Sequence, residues 1–133
     1  MKRLAVLLSI LAIFHFVALS PPVTISQEIE SLKERSQIDS KSNDYYNMIW
    51  KKIKEQWIIP ENLWKEMVGL ETIIVVIINR SGKIRRMWYE KKSGNPQYDQ
   101  TAWEAIKKAE PFPPIPKEFA DDTFYIGIRF HPD

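Results

Sequence analysis

Apolar residues follow three different spacings along this chain, and each spacing predicts a different element. From Asp44 to Ile58, Tyr46, Ile49, Trp50, Ile53 and Trp57 recur at helical steps while Lys51, Lys52, Lys54 and Glu55 occupy the other face, which predicts an amphipathic helix. Asn43 or Asp44 supplies an N-cap oxygen, and Pro60 stops the helix at Ile59. Pro60 then suits the first turn of a short helix through Met67 and Val68, with Gly69 as its stop. Leu70 to Asn79 contains an unbroken β-branched apolar block, Ile73 to Ile78, without alternation; both faces are expected to be covered, as in a central strand. Asn79-Arg80-Ser81-Gly82 predicts a hairpin turn with Gly82 at positive φ, and Lys83 to Lys92 returns as a second strand.

The third pattern closes the chain. Asn95 caps a helix with Pro96 in its first turn, and Tyr98, Ala102, Ala105, Ile106 and Ala109 form its apolar face, with Trp103 off that face and expected to be exposed. Asp99 near its start and Lys107-Lys108 near its end complement the helix dipole. Pro111 to Pro116 reads as an extended, rigid connector. From Thr123 to His131 the alternation is strict: Phe124, Ile126, Ile128 and Phe130 inward, Tyr125, Gly127, Arg129 and His131 outward. The expected fold class is α+β, a three-stranded antiparallel sheet in the order second, first, third, with helices from Asp44 and Pro96 on one face. Its core should unite Trp50, Ile53, Trp57, Ile74, Val76, Ile106, Phe124, Ile126 and Ile128.

Residues 1–43 are of another kind. Lys2 and Arg3 precede an apolar run from Leu4 to Ser20, interrupted by Ser9 and His15 and ended by Pro21-Pro22. Such a run spans about 26 Å as a helix, the short end of a bilayer crossing. It reads either as a secretory signal cleaved after Ala18 and Ser20, with Pro21 awkwardly next to the scissile bond, or as an uncleaved anchor that leaves Lys2 and Arg3 inside. Residues 21–43 are polar; Ile25, Ile29 and Leu32 fall at helical spacing, a stripe too short to hold a lone helix, so a linker is expected.

Charge and composition narrow the functions. With 19 basic and 17 acidic residues the net charge is only +2, which argues against a general phosphate-binding surface. The absence of cysteine excludes a disulfide, a thiolate metal site and a catalytic thiol. His15 lies in the targeting segment and His131 at the C-terminus, so neither a Ser-His-Asp triad nor a two-His metal site assembles. Four scattered glycines make no phosphate loop, and Asp121-Asp122 reads as a solvated turn. No enzymatic activity, cofactor, metal or nucleic-acid partner is expected. Arg85, Arg86, Lys91 and Lys92 on the second strand read as guards of an edge, whereas the last strand, Thr123, Phe124, Tyr125, Ile126, Gly127, Ile128, Arg129 and Phe130, leaves an outer edge with few charges, a template for an incoming extended peptide.

The order Lys92-Ser93-Gly94, Tyr98-Asp99, the alanine-spaced helix and Pro111-Phe112-Pro113-Pro114-Ile115-Pro116, set between the block Ile73 to Ile78 and the strand Phe124 to Phe130, resembles the C-terminal domain of the TonB/TolA family over about the last 90 residues. The resemblance implies three parts: a signal or anchor at 1–20, a linker at 21–43 and a protein-binding domain at 44–133. It also implies a place on the periplasmic side of the inner membrane, tethered by an uncleaved helix, or free in the periplasm if that helix is cleaved. Partners would be envelope proteins taken up by strand addition, and a proton-driven inner-membrane motor complex contacted through the membrane helix at residues 4–20. Relatives carry a Ser and a His four residues apart on one face of that helix. Here Ser9 and His15 are six apart, about 240° around a helix, so they do not share a face. With the short linker, this leaves two functions open: an energy transducer linking that complex to outer-membrane partners, or an envelope scaffold of the same fold without energy coupling.

Overall fold

The computed structural model describes residues 22–132, in which α1 (Ile25–Gln56), β1 (Thr72–Asn79), β2 (Ile84–Lys91), α2 (Pro96–Ala109) and β3 (Thr123–Phe130) follow one another. The strands form one antiparallel sheet in the order β2-β1-β3, and the helices cover one face of it, the architecture expected from the sequence. The expected membrane segment, including Ser9 and His15, lies outside the described residues. Among the described residues no helix is long and apolar enough to cross a membrane.

The first correction concerns α1. It begins not at Asp44 but at Ile25, and runs for 32 residues through the segment expected to be a linker. Thr24 caps it with a complete capping box, its hydroxyl accepting from the Gln27 amide while the Gln27 side chain accepts from the Thr24 amide. No Pro or Gly stands between Val23 and Ile59. A helix anchored by packing at its C-terminal half therefore propagates backwards without a second nucleation cost, and the polar residues 25–43 need no core of their own.

Tyr45, Ile49 and Ile53, at successive steps of four, are the fully buried line of α1. Trp50 and Trp57, expected to be buried with Ile53, are half-buried and flank it, their rings edge-on to Phe130 at 5.6 and 5.0 Å. Phe124 is also half-buried, against Tyr45 at 4.9 Å. Tyr45, unremarked in the sequence, donates its hydroxyl to the Pro113 carbonyl at 2.7 Å, which joins α1 to the proline run. After α1, the expected helix from Pro60 reduces to one 3₁₀ turn, Glu61–Leu63, and Gly69 closes the loop at φ 80°.

Asn79-Arg80-Ser81-Gly82 forms the β1–β2 turn as expected, and it is docked rather than free. The Phe112 amide donates to the Gly82 carbonyl (2.8 Å) and the Ile115 amide to the Arg80 carbonyl (3.1 Å). Gly82 sits at φ 86°, and a Cβ there would fall 1.9 Å from the Phe112 carbonyl oxygen, so both conformation and space require glycine. Phe112 and Ile115 are buried, which makes Pro111 to Pro116 a packed strap.

In α2 the Asn95 side chain accepts from the Tyr98 amide, and Pro96 opens the helix, as the sequence predicts. Asp99 does more than favour the dipole: it is buried, accepts from the Thr72 hydroxyl at 2.6 Å and from the Ser93 amide at 2.9 Å, and so fixes α2 to β1 and to the loop behind it. Trp103 is not exposed as expected but half-buried, its ring 5.0 Å from that of Tyr89 on β2.

Candidate functional site

The sheet has two outer edges, and among the described residues neither is paired with a further strand. β3 pairs with β1 residue for residue, from Thr72 opposite Phe130 to Asn79 opposite Thr123, with no slip. Gly127 therefore marks no bulge. Phe124, Ile126, Ile128 and Phe130 face the helices, the last three buried, while Tyr125, Gly127 and Arg129 are exposed on the other face. In an antiparallel strand successive residues direct their backbone groups to alternate sides, so the unpaired edge of β3 offers a regular row of donors and acceptors.

β2 is built differently. Its register against β1 shifts twice, between Ile73 and Ile74 and between Ile77 and Ile78, leaving Glu90 and Arg85 as extra residues on the β2 side. Extra residues of this kind twist an edge away from straight pairing, and the exposed Arg85, Arg86 and Lys91 add charge to it.

The face of the sheet away from α1 and α2 is covered at its centre by its own side chains. Val75 is only 1% exposed although, among the described residues, no helix lies over it. Trp88 and Tyr125, from the two strands that flank it, meet edge to face at 6.1 Å, and the Arg86 guanidinium lies 5.3 Å from the Trp88 ring centroid. At Val75 both faces of β1 are thus covered, one by helices and one by this lid, while Ile73 and Ile77 on the lid side stay half-buried. At its end Glu71 takes Lys91 at 2.9 Å and Arg129 at 3.4 Å, clasping β2 to β3 across β1. The Glu71 carboxyl is held below the usual carboxylate range, chiefly by the Lys91 hydrogen bond and further, against some desolvation, by the charge of Arg129.

At the N-terminal end of β3 the edge opens into a hollow of about 320 Å³ lined by Ile38 and Ser42 of α1 and by Phe119, Asp121, Thr123 and Phe124. The ring of Phe119 stacks on Phe124 at 6.0 Å, and Arg80 holds the loop in place by donating to the Phe119 and Asp121 carbonyls at 2.8 and 2.7 Å and pairing with Asp122 at 3.0 Å. The Asp121-Asp122 pair is thereby part of a loop anchor. The hollow brings an apolar recess to the same edge as the backbone row, the combination by which an added strand is held and its side chains are read.

The eight residues Thr123 to Phe130 thus stand together on one outer strand. Ser9 and His15 lie outside the described residues. Sequence reasoning missed Ile38 and Phe119 beside the edge and Trp88 on the helix-free face. Ile38 is apolar in a polar stretch, and that was its only signal. Among the described residues no group of His, Asp and Glu is placed to hold a metal ion.

The family model described as TonB C terminal matches residues 42–130. No match is found among curated protein sequences. Among solved structures, the solution structure of the Helicobacter pylori TonB C-terminal domain (residues 179–285) has a TM-score of 0.55 at 21% identity, covering 67% of this chain and 79% of that one. A second solution structure of the same domain (residues 194–285) has a TM-score of 0.49 at 22% identity, with 67% and 92% covered. The structural likeness concerns the fold, and the family match takes in the packed half of α1, α2, the strap and all three strands: the chain belongs to the TonB C-terminal family.

Proposed function

We propose that this chain is a non-catalytic, protein-binding component of the bacterial envelope, periplasmic, which takes an extended segment of a partner as a fourth strand along the outer edge of β3. One observation carries the reading: β3 pairs with β1 in unbroken register over its whole length and, among the described residues, leaves its other edge unpaired, whereas the opposite edge of the sheet is broken by two register shifts and basic. Backbone hydrogen bonds supply affinity in such a complex, and the recess at Ile38, Phe119 and Phe124 selects a side chain. Membership in the TonB C-terminal family supports an envelope setting and a role in energy transduction between an inner-membrane motor complex and outer-membrane partners.

A second reading, an adaptor of the same fold without energy coupling, is favoured by the geometry of α1. Residues 21–43, fully extended, would reach roughly 80 Å. As helix, the projecting residues 25–37 span only about 20 Å. Capture of outer-membrane proteins from a detergent extract by the immobilised chain tests the binding edge: Gly127→Lys, at a position where an added side chain meets nothing, should weaken capture while the thermal midpoint holds, and equal capture by both forms would remove β3 as the site. Growth dependent on ligand-gated outer-membrane import, with and without the chain, separates transducer from adaptor.

A further inference from the structure

The first half of α1 carries an apolar stripe that faces solvent. Ile25, Ile29 and Leu32 are 77%, 47% and 58% exposed, and the helix is well defined by its capping box at Thr24. At about 100° per residue the stripe lies roughly a third of a turn away from the line Tyr45, Ile49 and Ile53 that packs on the domain, so a helix laid along it would clear the domain. The steps of four and three from Ile25 to Ile29 to Leu32 are those of a coiled-coil seam, with Ile29 at an a position and Ile25 and Leu32 at d. In that frame Glu28 is a g position and Lys33 the following e position, the two places that face each other between parallel chains.

We propose that this projecting segment, residues 25–37, pairs in parallel with the same segment of a second copy of the chain. Parallel pairing stacks Ile25, Ile29 and Leu32 on their own counterparts and sets each Glu28 against Lys33 of the second copy, twice by symmetry. β-branched Ile at a with Leu at d suits two strands. An antiparallel pair also finds a charge match, Glu28 with Arg35, but it sets Ile25 against Ser36 and wastes a layer of the seam. Ser36 and Asp39 occupy the next a and d positions, so the seam ends there. The inference is independent of what β3 binds.

The chain has no cysteine, so single cysteines report proximity without background. In envelope preparations holding the full chain, mild oxidation should cross-link Ile29→Cys and Leu32→Cys to dimers in several-fold excess over Glu34→Cys on the opposite face. Introduced beside Ile29→Cys, Glu28→Lys should lower the yield, and Glu28→Lys with Lys33→Glu should restore it, since that exchange rebuilds the parallel pairs but sets a lysine against Arg35 in the antiparallel arrangement. Circular dichroism of each variant checks that α1 persists. Equal yields at the three cysteines, no dimer at any of them, cross-linking only between mixed Ile29→Cys and Leu32→Cys chains, or failure of the double exchange to rescue would each overturn the proposal.

Discussion

β2 brings Arg85, Arg86 and Lys91 to its edge and slips register at both ends, whereas β3 has one basic residue, Arg129, and pairs with β1 at every position. The same central strand supports both, so the difference lies in the outer strands themselves. An edge strand exposes unpaired backbone groups that invite aggregation, and bulges and charge are the usual remedies. Here the remedies are concentrated on one edge. The other is left regular, with an apolar recess at one end, which is the disposition expected if it is reserved for a partner.

The largest effect that tests this contrast is on stability. Ile126, buried on β3, lies against the helices, and Ile126→Ala should cost about 2–5 kcal/mol. Met87, its counterpart across β1 on β2, is half-buried, and Met87→Ala should cost distinctly less. Urea midpoints of the two variants decide; equal losses would mean that β2 is as deeply built into the core as β3.

Next comes a loss confined to alkaline pH. Burial pushes the Tyr45 phenol, beneath β3, up to about 12, and does the same to Tyr98, aided by the charge of Asp99. A folded pKa raised above 10 favours the neutral form, so this contribution is whole below pH 10 and is lost as pH rises through 12. The thermal midpoint should fall over that window, and the fall should be shallower in Tyr45→Phe, although that variant begins lower for want of the bond to Pro113. A midpoint flat from about pH 8 to about pH 12 would contradict the burial of both phenols.

Smaller effects fall on the edges directly. A Cβ at Gly127 meets nothing within 4 Å, so Gly127→Lys should fold normally yet weaken partner capture. Arg85→Gln with Arg86→Gln should leave capture nearly unchanged and raise self-association, visible as added light scattering. If that pair instead weakens capture and removes its salt dependence, the basic edge is the binding surface and the two strands have been assigned the wrong way round.

Much of this architecture was legible from spacing. The apolar block Ile73 to Ile78 marked the central strand, the alternation from Phe124 to Phe130 fixed which residues of β3 face inward, and Asn95-Pro96 marked the start of α2, because each is a local pattern with a local cause. What stayed hidden depends on distant partners. Nothing near Asp99 announces Thr72, and nothing near Phe112 and Ile115 announces the turn at Gly82 that seats them. The early part of α1 was missed for a different reason: its stripe is too weak to start a helix, and only attachment to a packed second half makes it one. Of the candidate site, the strand was visible in the sequence, while the recess at Ile38 and Phe119 requires α1 to extend beyond its expected start.

Amide hydrogen exchange of the chain without partner addresses the free edge most directly. In β1, paired on both sides, every amide from Ile73 to Ile78 should exchange slowly. Along Thr123 to Phe130 protection should alternate, slow where the amide points to β1 and fast where it points outward. Uniformly slow exchange along β3 would show that its outer edge is already covered, and the proposed binding site would be wrong.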